Sequence, residues 1–200
     1  MKTLFFTFSR SDYTSLKPIL SAVADDPFFD LSLIVGGSHL IDEFGNSTLD
    51  ITVDGFAIWR RIDFLDPNDS SHDAIGAAFA YLVEACVTSI RDAKPDAVFI
   101  LGDRWEMLAV ATAASVMHVP IIHHSGGDLT QGSMDNQTRH AISHLSHIHL
   151  VALPDHAKRL HLFGEEEWRI TVTGEPALTG ITEVIKDTTS FYDTVPVCRS

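Results

Sequence analysis

Cysteine is nearly absent: Cys86 and Cys198 are the only two in 200 residues, and their separation matches no metal-ligand spacing. That excludes a disulfide-stapled scaffold. Cys86 falls within an apolar helical pattern, which reads as a reduced core thiol and a cytoplasmic compartment. Positive charge is also scarce, with 14 Lys and Arg against 27 Asp and Glu and a formal net charge of −13. Such an excess repels nucleic acids and anionic membrane surfaces, so neither is expected as a partner. A phosphorylated small molecule stays open, because backbone N–H groups and one or two arginines suffice to hold it. No run approaches the roughly 18 to 20 apolar residues of a membrane span. The N-terminal "KTLFFTF" is cut short by Arg10 and reads as a strand, not a signal segment. G-x-G-x-x-G and G-x-S-x-G are both missing, which argues against a dinucleotide-pyrophosphate loop and against acyl-enzyme chemistry.

What the chain does have is apolar content, 45%, enough for one large packed domain. Short β-branched or aromatic runs alternate with helical ones. Strands are expected at 2–8, 29–37, 59–65, 97–102, 119–124, 147–153 and 169–174. Between them the pattern predicts helices at 13–26, at 71–93 behind a serine N-cap, at 104–118, at 135–146 and at 154–164. The segment 38–56 reads as a loop with one helical turn. Such alternation predicts an α/β fold: a Rossmann-like, mostly parallel sheet with helices on both faces. Right-handed crossovers then put every strand-to-helix loop on the carboxyl edge of the sheet, where open α/β folds bind ligands.

Those edge loops carry the candidate chemistry. "SRSD" offers Arg10 at a helix mouth, suited to an anion. "GDRWE" places Asp103 directly after a strand, either as a site carboxylate or as an N-cap, with Glu106 able to pair with Arg104. In "HHSGGDLTQGSMDNQTRH", Gly126 and Gly127 permit a sharp turn and close ligand approach. Asp128 and Asp135 follow, with Arg139 and His140 a turn further on. Three carboxylates at one edge suit general acid/base work. A zinc site on His140 and His144, four apart on a helix, is the weaker alternative.

These stretches, "SRSDY", "GGSHLIDEFGN", "LGDRWEMLA", "GGDLTQGSMDNQTRHAISHLSHIHLVA" and "VTGEPAL", resemble the UDP-N-acetylglucosamine 2-epimerases, and within them the hydrolysing branch. The resemblance runs in order from about residue 2 to residue 185. It implies a glycosyltransferase-B architecture, of which 1–175 would be the N-terminal Rossmann-like domain and 176–200 a linker helix and tail. The C-terminal nucleotide-binding domain would lie outside this chain. It further implies elimination of UDP from UDP-N-acetylglucosamine and addition of water, giving N-acetylmannosamine for sialic-acid-type sugar synthesis. Neither a metal nor another cofactor is implied, and a UDP-sugar and further copies of the chain are the expected partners. By motif position Asp103, Asp128 and Asp135 become the catalytic carboxylates, with acid and base unassigned. Arg10, Arg139, His140, Gly126 and Gly127 become substrate-binding. Two departures stand out: the family has Gly-Gly-Glu where this chain has Asp128, and a lysine is common where it has His144. The rival readings are a non-hydrolysing epimerase and a non-catalytic binding or oligomerisation module of the same fold.

Overall fold

The computed structural model describes residues 1–179. Seven strands form one sheet in the order β3-β2-β1-β4-β5-β6-β7, with every recorded pairing parallel. They are β1 (Lys2–Thr7), β2 (Asp30–Gly36), β3 (Ile58–Ile62), β4 (Ala97–Leu101), β5 (Ile121–His124), β6 (Ile148–Val151) and β7 (Ile170–Val172). The helices are α1 (Arg10–Asp25), α2 (Thr48–Val53), α3 (His72–Ala93), α4 (Trp105–Val116), α5 (Asp135–Leu145) and α6 (Pro154–Leu162). The seven strands and five helices expected between residues 2 and 174 are therefore all present. The main shift is that α1 opens at Arg10, because the Ser9 hydroxyl caps it by accepting from the Asp12 N–H.

Strand periodicity splits the core in two. Leu4, Phe6, Ile34, Val98, Ile100 and Ile121 face α3, α4 and α5. Phe5, Leu33, Val35, Phe99 and Leu101 face Tyr13, Leu16 and Leu20 of α1 and Ile51 of α2. With both sheet faces covered, the central strands have to be apolar throughout, and all five residues of β4 are buried. Helix α4 is enclosed by α3, α5 and the sheet, and its alanines at 109, 111, 113 and 114 let those neighbours approach closely.

One expectation needs correcting. Helix α3 spans 22 residues and is long and apolar enough, by length and composition, to cross a membrane. Scattered charges hide this from a search for unbroken apolar runs. Here α3 is the crossover from β3 to β4, and it buries Leu82, Cys86 and Ile90 against the sheet and α4. Of the expected linker helix, Pro176–Leu178 form a 3₁₀ turn and the remainder lies outside the described residues.

The order of strands fixes where a ligand can sit. The chain leaves β1 towards β2 and β3, then returns through α3 to β4 on the other side of β1. The turns after β1 and β4 therefore lead away in opposite directions, the switch point at the carboxyl edge where open α/β sheets commonly form a ligand crevice. The stacked Phe5–Phe99 pair, with ring centroids 5.1 Å apart, ties β1 to β4 within the core. Phe99→Ala is expected to destabilise the domain by about 3 to 5 kcal/mol through the cavity it leaves, measured as a lower urea midpoint with the far-ultraviolet circular dichroism retained.

Candidate active site

At the β1 side of the crevice, Asp12 sits in the first turn of α1, where its Oδ2 accepts from the Phe8 N–H at 3.4 Å. Burial holds its carboxyl above the ordinary aspartate range, and the nearby Arg104 guanidinium opposes that shift. On the β4 side, Arg104 forks onto Glu106, donating from Nε to Oε2 at 3.2 Å and from Nη2 to Oε1 at 2.6 Å. The Glu106 side chain is buried, so this pair sets the shape of the β4–α4 turn from within. The Arg104–Glu106 pairing was legible in "GDRWE". Asp12 was not singled out, although its place in the edge loop "SRSD" was a signal.

Asp103 follows Gly102, which adopts a φ of 90°. Arg139 of α5 donates from Nη2 to Asp103 Oδ2. This arginine is buried, and its Nη1 also donates to Asn136 Oδ1 at 3.0 Å. Asn136 in turn donates from Nδ2 to the Thr130 carbonyl at 2.7 Å and accepts from the Thr130 N–H at 3.0 Å. One cation thus ties the end of β4 to α5 and to the loop before it. Arg139 acts here as a support for Asp103. Beneath Asp103, His123 Nε2 donates to the Gly102 carbonyl at 2.9 Å, so Nε2 carries the proton of a neutral ring. His123 is fully buried, and desolvation pushes its imidazole down to about 3.

The loop after β5 is the tightest part of the edge. Ser125 has a φ of 76°, a strained left-handed conformation for a residue with a side chain. A Cβ on Gly126 would lie 2.9 Å from Ser143 Oγ. On Gly127, at a φ of 74°, a Cβ would lie 2.3 Å from the His156 carbonyl oxygen. Arg159 of α6 donates to the Gly127 carbonyl, pressing the loop onto that helix. These glycines serve protein packing first. Asp128 Oδ1 accepts from the Leu129 N–H at 2.7 Å and lies 3.3 Å from His156 Nε2. Asp135 opens α5, exposed, with Oδ2 accepting from Ser133 Oγ at 2.7 Å.

The three candidate carboxylates thus occupy the loops after β4 and β5 and the first turn of α5, each with its own partner: Arg139, His156 and Ser133. Arg10 is exposed on the first turn of α1 and reaches the Gly45 carbonyl at 3.4 Å. His140 departs from the expected grouping. Its ring packs edge-on against Phe163, with centroids 4.7 Å apart, because it points from α5 towards α6. His144 leans on the same phenylalanine at 5.6 Å. Among the described residues, no three His, Cys, Asp or Glu side chains gather as a metal site.

Residues 21–196 match the family model for UDP-N-acetylglucosamine 2-epimerase. The chain belongs to that family. Curated relatives include a GDP/UDP-N,N'-diacetylbacillosamine 2-epimerase (hydrolyzing) of Campylobacter jejuni, 37% identical over 89% of this chain and 46% of the relative. A UDP-N,N'-diacetylbacillosamine 2-epimerase (hydrolyzing) of Legionella pneumophila is 35% identical over 96% of this chain and 50% of its own length. The chain therefore spans about half the length of the curated relatives it matches. Among solved structures, the UDP-GlcNAc 2-epimerase of Neisseria meningitidis bound to UDP-GlcNAc superposes with a TM-score of 0.79 at 20% identity. That match covers 96% of this chain and 52% of the other. It shows the fold: this is the N-terminal-half architecture of family members of glycosyltransferase-B type.

The close contact at Gly127 sets one test. Gly127→Ala must move α6 or the loop and is expected to cost more than about 2 kcal/mol in chemical denaturation. At Gly164, with a φ of 96° but nothing near its Cβ position, Ala should cost only the backbone strain of about 1 to 2 kcal/mol. A second test concerns acid. His39 is buried between Thr7 Oγ1 at 2.9 Å and Ser47 Oγ at 2.6 Å, and desolvation lowers it to about 4. The unfolded chain takes up a proton on each of His39 and His123 near pH 6.5, while the folded chain resists until about 4 and about 3. Stability is thus intact above pH 6.5 and falls below it, by up to about 1.4 kcal/mol per pH unit for each ring. Urea midpoints should drop between pH 6.5 and 4.5, and His123→Gln should flatten that slope.

Proposed function

We propose that this chain supplies the acid/base half of a hydrolysing 2-epimerase for a UDP-linked 2-acetamido sugar. The observation that carries this reading is the set of Asp103, Asp128 and Asp135 on one sheet edge beside the crevice, each held by a different neighbour. Two relatives named as hydrolyzing, at 37% and 35% identity, support the branch. In the proposed reaction one carboxylate takes the C2 proton while the C1–O bond to UDP breaks, leaving a C1–C2 double bond. Water then adds at C1 and a carboxylic acid returns a proton to C2 from the opposite face. UDP and the free 2-epimeric sugar leave. Positioned proton transfer of this kind contributes about 10²- to 10⁴-fold in rate. Arg10, on the opening turn of α1, is placed to face the diphosphate, where the helix N-terminus adds positive potential. Asp128 carries one methylene fewer than the family's glutamate. Exposed Ile75 and Tyr81 on the apolar helix α3 support the self-association implied by the resemblance.

The test is to incubate the chain, alone and joined to its natural downstream sequence, with UDP-N-acetylglucosamine or with UDP-N,N'-diacetylbacillosamine. Proton NMR in deuterium oxide should show UDP and a free 2-epimer deuterated at C2, and the faster substrate identifies the sugar. Asp103→Asn should lower kcat at least about a hundredfold. A UDP-linked 2-epimer as product would move the chain to the non-hydrolysing branch. No product from either form would leave the non-catalytic module.

A further inference from the structure

Helix α6 lies outside every motif that points to the reaction, yet it holds the loop that carries Asp128. Three contacts do this. Arg159 donates to the Gly127 carbonyl, the His156 carbonyl rests where a Gly127 side chain would begin, and the His156 ring faces the carboxylate. His156 is itself about nine-tenths buried, whereas the Asp128 side chain is 45% exposed. One partner is thus rigid and the other free to swing. A short carboxylate on a solvent-facing loop has several rotamers of similar energy, and only an outside contact selects one. Asp128 Oδ1 carries both of its contacts, the Leu129 N–H at 2.7 Å and His156 Nε2 at 3.3 Å. Among the described residues Oδ2 has no partner, which leaves it as the oxygen available to substrate.

We infer that His156 is a positioning residue for Asp128: its Nε2 draws Oδ1 against α6 and turns Oδ2 towards the crevice. The inference rests on the reading of Asp128 as an acid/base group. It gives the aspartate a fixed direction, which matters because a carboxylate displaced by about 1 Å forfeits on the order of a hundredfold in rate. The His156 Nδ1 is buried with no hydrogen-bond partner, so nothing on the far side of the ring competes for its orientation.

Two measurements test this. In the active protein, His156→Ala should lower kcat about 10- to 100-fold, the range for loss of a group that orients a functional side chain, with KM changed less than about threefold. His156→Gln, which keeps an N–H in that region, should recover most of the loss. In an Asp128→Asn background, His156→Ala should have little further effect, since the group it orients is already disabled. Equal losses in both backgrounds would show a purely structural role and overturn the proposal. The second measurement needs no turnover. Long-range ¹H–¹⁵N spectra of the chain should show the His156 ring nitrogens shifting on Asp128→Asn and staying put on Asp135→Asn. Unshifted ring signals overturn the proposal even where the enzyme is active. Shifted signals with no turnover by the unsubstituted protein would keep the pairing and reject the reaction.

Discussion

The site depends on one buried cation. A guanidinium enclosed by protein is tolerable only when its charge is met and its N–H groups find acceptors. Arg139 is buried, and Asp103 meets its charge while Asn136 and Thr130 accept from its terminal nitrogens, leaving Nε alone without a partner among the described residues. The requirement runs both ways: the arginine orders the carboxylate, and the carboxylate allows the arginine to stay inside. This exchange converts a flexible strand-end turn into a fixed platform at the crevice.

Around that platform, the edge is built by close approach. Gly102 turns the chain towards Asp103 and accepts from a neutral, fully buried histidine. Gly127 sits so near the backbone of α6 that it could hold no side chain. Catalytic designs commonly place short polar groups on stiff supports, since rate is sensitive to small displacements. The domain meets that need with a sheet buried on both faces, whose rigid strands deliver side chains only at their ends.

Much of this was readable in the amino-acid order. Short apolar runs alternating with three- and four-residue helical spacing located the seven strands and the longer helices, because a doubly covered parallel sheet leaves few alternatives for such segments, whereas α2 lay inside a segment read as a loop with one helical turn. Asp103, Asp128 and Asp135 were legible as edge residues, since topology alone assigns loops to the carboxyl end. The Arg104–Glu106 pair followed from spacing. Partners distant in sequence were not legible. Nothing near Asp128 indicates that a helix beginning 26 residues later would offer it an imidazole, and the packing of His140 on Phe163 depends on how α5 and α6 lie together. Asp12 escaped notice because its special environment arises only when the turns after β1 and β4 meet. Apolar helix α3 was underestimated because interspersed charges broke its runs.

One bond near the end of the described chain has a mechanical implication. His124, at the tip of β5, donates from Nε2 to the Gly174 carbonyl at 3.2 Å, on the stretch that leaves β7. Its other ring nitrogen meets Ser125 Oγ at 2.9 Å, in the strained turn that opens the glycine loop. A single imidazole ring therefore spans the stretch after β7 and the root of the glycine loop. The stretch after β7 and the turn that opens the glycine loop are thereby joined by a path only two hydrogen bonds long, so that neither can be displaced without straining the other.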